Sequence, residues 1–253
     1  MIFEPWTALP AGIIIATVVS AIGLGGGVLW MPLFLILMKM EPGTAVVTSL
    51  LIQTAGMGSS SYAYARQKSV DPKLAFFFMI IALPGLVIGA RFAHHLSPAQ
   101  MRLILGLLVM ATALWFVSSN QKYAEQGATR IELAKSFRYS WLVALMAMGS
   151  GMLSVSMGEW LVPIMRGRLG MRMSSAIGTS VMIIFATCIG GSAAHLLMGG
   201  RAEPAVILWA LPGVILGGQI GPRITTRINE RLLKEIFIFL LTLLGIHLIY
   251  NAY

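Results

Sequence analysis

Long apolar runs separated by short polar or Gly/Pro-containing breaks define this chain, and eight stand out, at 8–38, 43–65, 73–96, 99–118, 138–165, 174–198, 204–222 and 232–252. A helix needs about 20 apolar residues to cross a hydrocarbon core about 30 Å thick, and six of the runs are about that long. The first is too long: Leu9 to Met38 would extend about 45 Å as one helix. At its centre lies Gly23-Leu24-Gly25-Gly26-Gly27, which weakens a helix and permits turns that other residues resist. The pattern predicts a broken or re-entrant segment whose second limb starts near Leu29 or Trp30, with Pro32 in its first turn. Ser154 to Pro163 has the same layout. The longest polar stretch, Ser118 to Arg138, falls almost midway. It divides the chain into a first transmembrane repeat (1–119), a linker (120–137) and a second repeat (138–253).

The halves resemble each other. At an offset of 131, Gly27 meets Gly158, Pro32 meets Pro163, Met40 meets Met171, Ala45 meets Ala176, and Thr48-Ser49 falls on Thr179-Ser180. After a three-residue change of offset, Leu83-Pro84-Gly85 and Gly89 match Leu211-Pro212-Gly213 and Gly217. Small residues recur wherever membrane helices pack closely. Matching prolines and a matching Thr-Ser pair point beyond that to a duplication.

Composition fixes the class. Hydrophobic residues make up 57% of the 253 and charged ones 11%, against about 25% charged in an average soluble domain, so the expectation is an all-α integral membrane protein. The net charge of +9 then reads as topology, and no base-reading module suggests nucleic acid. If all eight runs cross, Lys and Arg divide 8 to 10 between the sides. If the first run of each half is re-entrant, 66–73, 120–138, 166–172 and 223–234 share one side and the split becomes 14 to 4. The positive-inside rule favours the 14 to 4 split, which a re-entrant fifth run alone gives as well; repeat symmetry selects both, in the plasma (inner) membrane with the linker in the cytoplasm and both termini outside. Three crossings per half make the halves inverted repeats, a plan common in secondary transporters. The start of the chain lacks the basic region of a cleaved signal peptide, so the first run should stay in the mature protein. Cys188, a lone cysteine in an apolar run, reads as a packed thiol.

Broken helices near the membrane midplane offer unpaired N–H groups and helix N-termini suited to an anion. On this plan Gly25, Gly26 and Gly27 supply donors from one half, and Ser154, Ser156 and Gly158 from the other. Thr48, Ser49, Thr179 and Ser180 add hydroxyls, and no fixed cation is needed. The alternative is that the glycines only permit close packing and the hydroxyls bond within their own helices. Glu159, the acid inside an apolar run, replaces Val28 of the first half. It must be paired, hydrated or protonated there; it is a candidate for proton coupling, or a carboxyl capping the second half-helix. His195, opposite Tyr64 in the repeat, is a proton-relay candidate or a hydrogen-bonded core histidine. Gln53, Tyr62 and Tyr64 are candidates to line a cavity or to bond between helices. Arg166, Arg168 and Arg172 read most simply as a cytoplasmic anchor, with attraction of anions to an inner vestibule as the alternative. His94-His95 and His247 form no spaced ligand set, so no metal or cofactor is expected. Enzyme motifs are also missing, among them Gly-x-Ser-x-Gly, His-Glu-x-x-His and the Walker lysine.

The motif Gly25-Gly26-Gly27 leading to Pro32, then Ala45 to Ser49, repeated as Gly158 to Pro163 and Ala176 to Ser180, resembles the TauE/SafE family over nearly the whole chain. The resemblance implies a small permease of two related halves that exports sulfite or organosulfur anions such as sulfoacetate. Ser156-Met157-Gly158-Glu159 departs from the glycine-rich run of the first half. The resulting expectation is a non-enzymatic secondary carrier of small anions working by alternating access, with protons as possible coupling ions and the bilayer as its other partner. An anion channel of the same architecture and a non-transporting scaffold are the alternatives. The sequence sets no oligomeric state.

Overall fold

The structure is a computed structural model that describes residues 4–118, 127–225 and 230–250. A short turn, Pro5–Thr7, leads into α1 (Ala8–Ile22), followed by α2 (Gly27–Pro32), which continues as a π-helical turn over Leu33–Leu37. Then come α3 (Pro42–Arg66), α4 (Pro72–Ala93), α5 (Pro98–Ser118), the short α6 (Leu133–Ser136), α7 (Ser140–Leu153), α8 (Gly158–Gly167), α9 (Met173–Leu197), α10 (Pro204–Ile224) and α11 (Glu230–Tyr250). Regular structure among the described residues is helical, apart from one isolated bridge between Ala128 and Met171. Among the described residues, four helices are long and apolar enough to cross a membrane: Pro5–Ile22, Pro72–Ala93, Met173–Leu197 and Pro204–Ile224. Large apolar side chains such as Phe76, Ile80, Leu114, Trp141, Leu208 and Leu243 face outward. In water such a surface is unfavourable; in lipid it is the normal exterior of an integral membrane protein.

Local chemistry explains the helix starts. Pro42, Pro72, Pro98 and Pro204 each open a helix, where a missing N–H costs nothing. The Asp71 carboxylate accepts the N–H groups of Lys73 and Leu74 at the start of α4. Ser97 and Gln100 exchange side-chain to backbone bonds at the start of α5, a capping box. The long α3 is the least apolar of the membrane-length helices because it carries Thr48, Ser49, Gln53, Ser60 and Ser61, all buried. Its polar groups therefore face the interior.

The first run of each half is interrupted. α1 stops at Gly23 (φ 76°) and α7 at Ser154 (φ 59°), and these left-handed caps fall on equivalent positions at the offset of 131. Glycine meets no penalty there, whereas serine is uncommon. Close contacts then give the direction of each limb. Gly213, Gly217 and Gly221 of α10 lie against Leu9, Ile13 and Thr17 of α1, so α1 runs beside α10 in the same direction. The Thr48 hydroxyl near the start of α3 accepts the N–H of Glu203 just before α10, so α3 and α10 begin at one end of the bundle. Because α2 leads directly into α3, α1 and α2 form a hairpin that enters and leaves by that end. In the other half, Gly85 and Gly89 of α4 lie against Ala144 and Met148 of α7, while Asp71, just before α4, donates its N–H to Thr179 near the start of α9. The α7–α8 hairpin thus enters and leaves by the opposite end.

Of the linker, 120–126 lies outside the described residues. Beyond it, Ala128 exchanges backbone bonds with Gly170 and Arg172, and the Ile131 N–H donates to the Asp71 carboxylate. The linker end is thereby tied to the end of the bundle where α4 and α9 begin.

Candidate functional site

The two hairpin turns meet inside the bundle, between α3 and α9. A Cβ on Gly25 would overlap the Ser156 side chain, one on Gly27 the Ser154 carbonyl, and one on Gly158 the Gly23 carbonyl. Backbone touches backbone here, which requires glycine at 27 and 158.

A polar cluster surrounds this crossing. The Gln53 side-chain amide donates to the hydroxyls of Ser49 (3.0 Å) and Ser154 (2.8 Å), while its Oε1 accepts the Gly27 N–H (2.9 Å). The Ser154 and Ser49 hydroxyls are 3.0 Å apart. On the other side, Ser180 donates to the Gly23 carbonyl and Ser156 accepts the Gly158 N–H. Leu29 and Trp30 donate to the Gly26 carbonyl, starting α2. The N–H groups of Gly25 and Gly26 find no acceptor among the described residues. These buried donors sit beside three hydroxyls and an amide, with no Lys or Arg in the cluster. The arrangement suits a desolvated anion bound by neutral dipoles.

Eight of the ten residues singled out as anion ligands converge here: Gly25, Gly26, Gly27, Ser49, Ser154, Ser156, Gly158 and Ser180. Thr48 and Thr179 have other bonds. Thr48 donates to the Thr44 carbonyl and accepts from Glu203, and Thr179 accepts from Asp71, so both hydroxyls clasp the start of a neighbouring helix. Glu159 lies in the first turn of α8, fully buried, with both carboxyl oxygens lacking a hydrogen-bond partner among the described residues. His195 stands apart from the crossing. Its Nε2 meets the Gly151 carbonyl at 2.7 Å, just as the Tyr64 hydroxyl donates to the Ser20 carbonyl at 2.8 Å. The last carbonyls of a helix lack internal partners. Each residue supplies one from a matching position on α3 or α9.

Gln53 is the residue whose central place the sequence understated. It joins both hairpins, whereas its counterpart at the same offset is Ile184. The available signal was a polar residue one turn after Ser49 in an otherwise small or apolar stretch. Tyr62 is exposed beside Arg66.

Comparison with known proteins gives a consistent result. The family described as sulfite exporter TauE/SafE matches residues 8–248. Among curated relatives, the probable membrane transporter protein YunE of Bacillus subtilis is 27% identical, covering 95% of this chain and 96% of its own. The probable membrane transporter protein ORF9 of Sinorhizobium sp. is 24% identical over 93% of this chain and 88% of its own. YfcA of Escherichia coli K12, also a probable membrane transporter protein, is 22% identical over 94% and 87%. No solved structure matches the chain.

Proposed function

The chain belongs to the sulfite exporter TauE/SafE family of membrane transporters, and we propose that it is a secondary carrier of small oxyanions, sulfite or organosulfonates, in the plasma membrane. One observation carries the reading: two hairpin turns from opposite ends of the bundle meet at buried, uncommitted N–H groups ringed by Ser49, Gln53, Ser154 and Ser156. Discontinuous helices of this kind serve as substrate sites in many secondary carriers.

The halves are inverted repeats on this reading, and each hairpin is re-entrant. With the turns in contact, Gly25 on Ser156 and Gly27 on Ser154, the path is closed. Movement of one half against the other separates the turns, exposes the donors to one side and lets an anion replace the bonds among Gln53, Ser49 and Ser154. Glu159, one residue after Gly158, is the coupling group. Ionised, it opposes an anion at the crossing; neutral, it permits one, so a proton and an anion bind together. His195 positions the last turn of α7 through the Gly151 carbonyl. The central polar stretch and the repeat support the domain plan on this reading, and the 14 to 4 distribution of Lys and Arg supports a cytoplasmic linker and outside termini.

The test is sulfite uptake into proteoliposomes with and without an imposed pH gradient, with sulfate, thiosulfate and sulfoacetate as competitors. Saturable flux that follows the gradient is expected. Protein-independent sulfite flux would remove the substrate assignment.

A further inference from the structure

A second cluster of charged groups lies where α3 and α10 begin and α4 and α9 end, away from the crossing. There a cavity of about 300 Å³ is lined by Glu41, Thr44, His94, His195 and Arg201, with Met101 of α5 on its wall. The rings of His94 and His195 are 5.5 Å apart. The guanidinium of Arg201 and the ring nitrogens of His94 make no hydrogen bond or ion pair among the described residues. His195 is committed through one nitrogen: a carbonyl only accepts, so Nε2 donates to Gly151 and Nδ1 is left to take or release a proton.

The other half makes the contrast informative. At the place matching His195, Tyr64 bonds through its hydroxyl to Thr225 at the end of α10 (2.8 Å) and to the Ser20 carbonyl. That neutral, mutually satisfied pair occupies the position where His195 and His94 open onto a cavity. Among the described residues, this end of the scaffold brings two imidazoles together with an uncommitted guanidinium.

We propose that this cavity is a second anion site, separate from the crossing, which binds a small oxyanion together with a proton held by the His94–His195 pair. The charge arithmetic sets the behaviour. With both imidazoles neutral, Arg201 and Glu41 cancel and the lining has no net charge. One proton on the histidine pair makes the cavity cationic, and the anion then meets the Arg201 fork and an imidazolium, beside the Thr44 hydroxyl that donates to the Glu41 carboxylate. Glu41, His94, His195 and Arg201 are the titratable or charged groups of the lining, contributed by the chain before α3, the end of α4, α9 and the chain before α10. A neutral histidine pair leaves no net charge for the anion, so occupancy falls as pH rises. Because His195 also holds Gly151 in the last turn of α7, the site touches the helix that ends at Ser154.

Calorimetric binding of methanesulfonate, whose charge does not change in this range, tests the proposal with purified protein at about pH 6 and about pH 8. Binding about tenfold tighter at the lower pH is expected, with proton uptake seen as a dependence on buffer ionisation heat. His94→Gln and Arg201→Gln, both at exposed positions, should each weaken low-pH binding about tenfold or more, the loss expected for a hydrogen bond to a charged group. Glu41→Gln removes the cancelling charge and should carry strong binding up to the higher pH, a gain that misfolding does not imitate. Binding that is independent of pH, or unmoved by Glu41→Gln, overturns the proposal. Binding that responds to Ser154→Gly and not to the cavity variants overturns it too and leaves the crossing as the site. Cavity-dependent binding without any flux in proteoliposomes instead sinks the carrier reading and leaves the cavity standing.

Discussion

Single atoms decide the crossing. A methyl group at residue 27 has nowhere to go except into the Ser154 carbonyl. Gly27→Ala should therefore lower stability by about 1–3 kcal/mol, the usual cost of overpacking, seen as a lower thermal midpoint in detergent. An unchanged midpoint would mean that the turns do not touch. Ser154 has a different constraint: it holds a left-handed backbone at φ 59° while its hydroxyl binds Ser49 and Gln53. Sequence comparison between the halves located this residue, because it aligns with Gly23, but composition alone did not mark it as a turn. Gln53 was harder to place since two of its partners, Gly27 and Ser154, are set by folding, the second of them in the other half of the chain. For Glu159 the relevant facts are complete burial and two carboxyl oxygens without hydrogen-bond partners among the described residues. Glu159→Gln keeps the shape and removes the titration, so transport should persist with its pH dependence lost. If pH dependence is unchanged, the carboxyl has a structural role only.

At the scale of elements, the break in α1–α2 was legible because Gly23 to Gly27 and an excessive run length both appear in the sequence. The break in α7–α8 was legible only through the repeat: Ser154 to Met157 contains no glycine. What the sequence did not reveal is how the breaks are braced. Tyr64 and His195 each donate to a carbonyl in the last turn of the preceding half-helix, and the pairing emerges only once α3 and α9 pack beside the turns. Tyr64→Phe removes one brace and strands the Ser20 carbonyl, while Thr225 keeps its bond to the Gly221 carbonyl. Stability should fall by about 1–2 kcal/mol, the cost of a lost buried hydrogen bond, and thermal unfolding in detergent measures it. Thr48 and Thr179 show the same limit of sequence reading. Their hydroxyl chemistry suggested ligands, yet each binds the N–H before a helix in the opposite half. The cavity of His94, His195, Glu41 and Arg201 combines residues from separate connections and one helix end, so no local motif announces it.

The whole molecule inherits its polarity from the distribution of charge. Residues 66–73, 120–138, 166–172 and 223–234 carry 14 of the 18 Lys and Arg, and the proposed orientation on that ground has them in the cytoplasm and the C-terminus outside. Tyr253, the last residue of the sequence given, lies outside the described residues. A cysteine introduced there in a Cys188→Ser background should react with an impermeant maleimide added outside intact cells. Reaction only after permeabilisation would reverse the orientation. Orientation is a matter of sidedness, however, and transport depends on whether the two hairpin turns part to admit an anion from one side at a time. Counterflow examines that directly: proteoliposomes preloaded with unlabelled sulfite and diluted into a trace of labelled sulfite should accumulate label transiently above equilibrium. Label that rises only to equilibrium, at a rate indifferent to the internal load, would contradict alternating access and describe a channel.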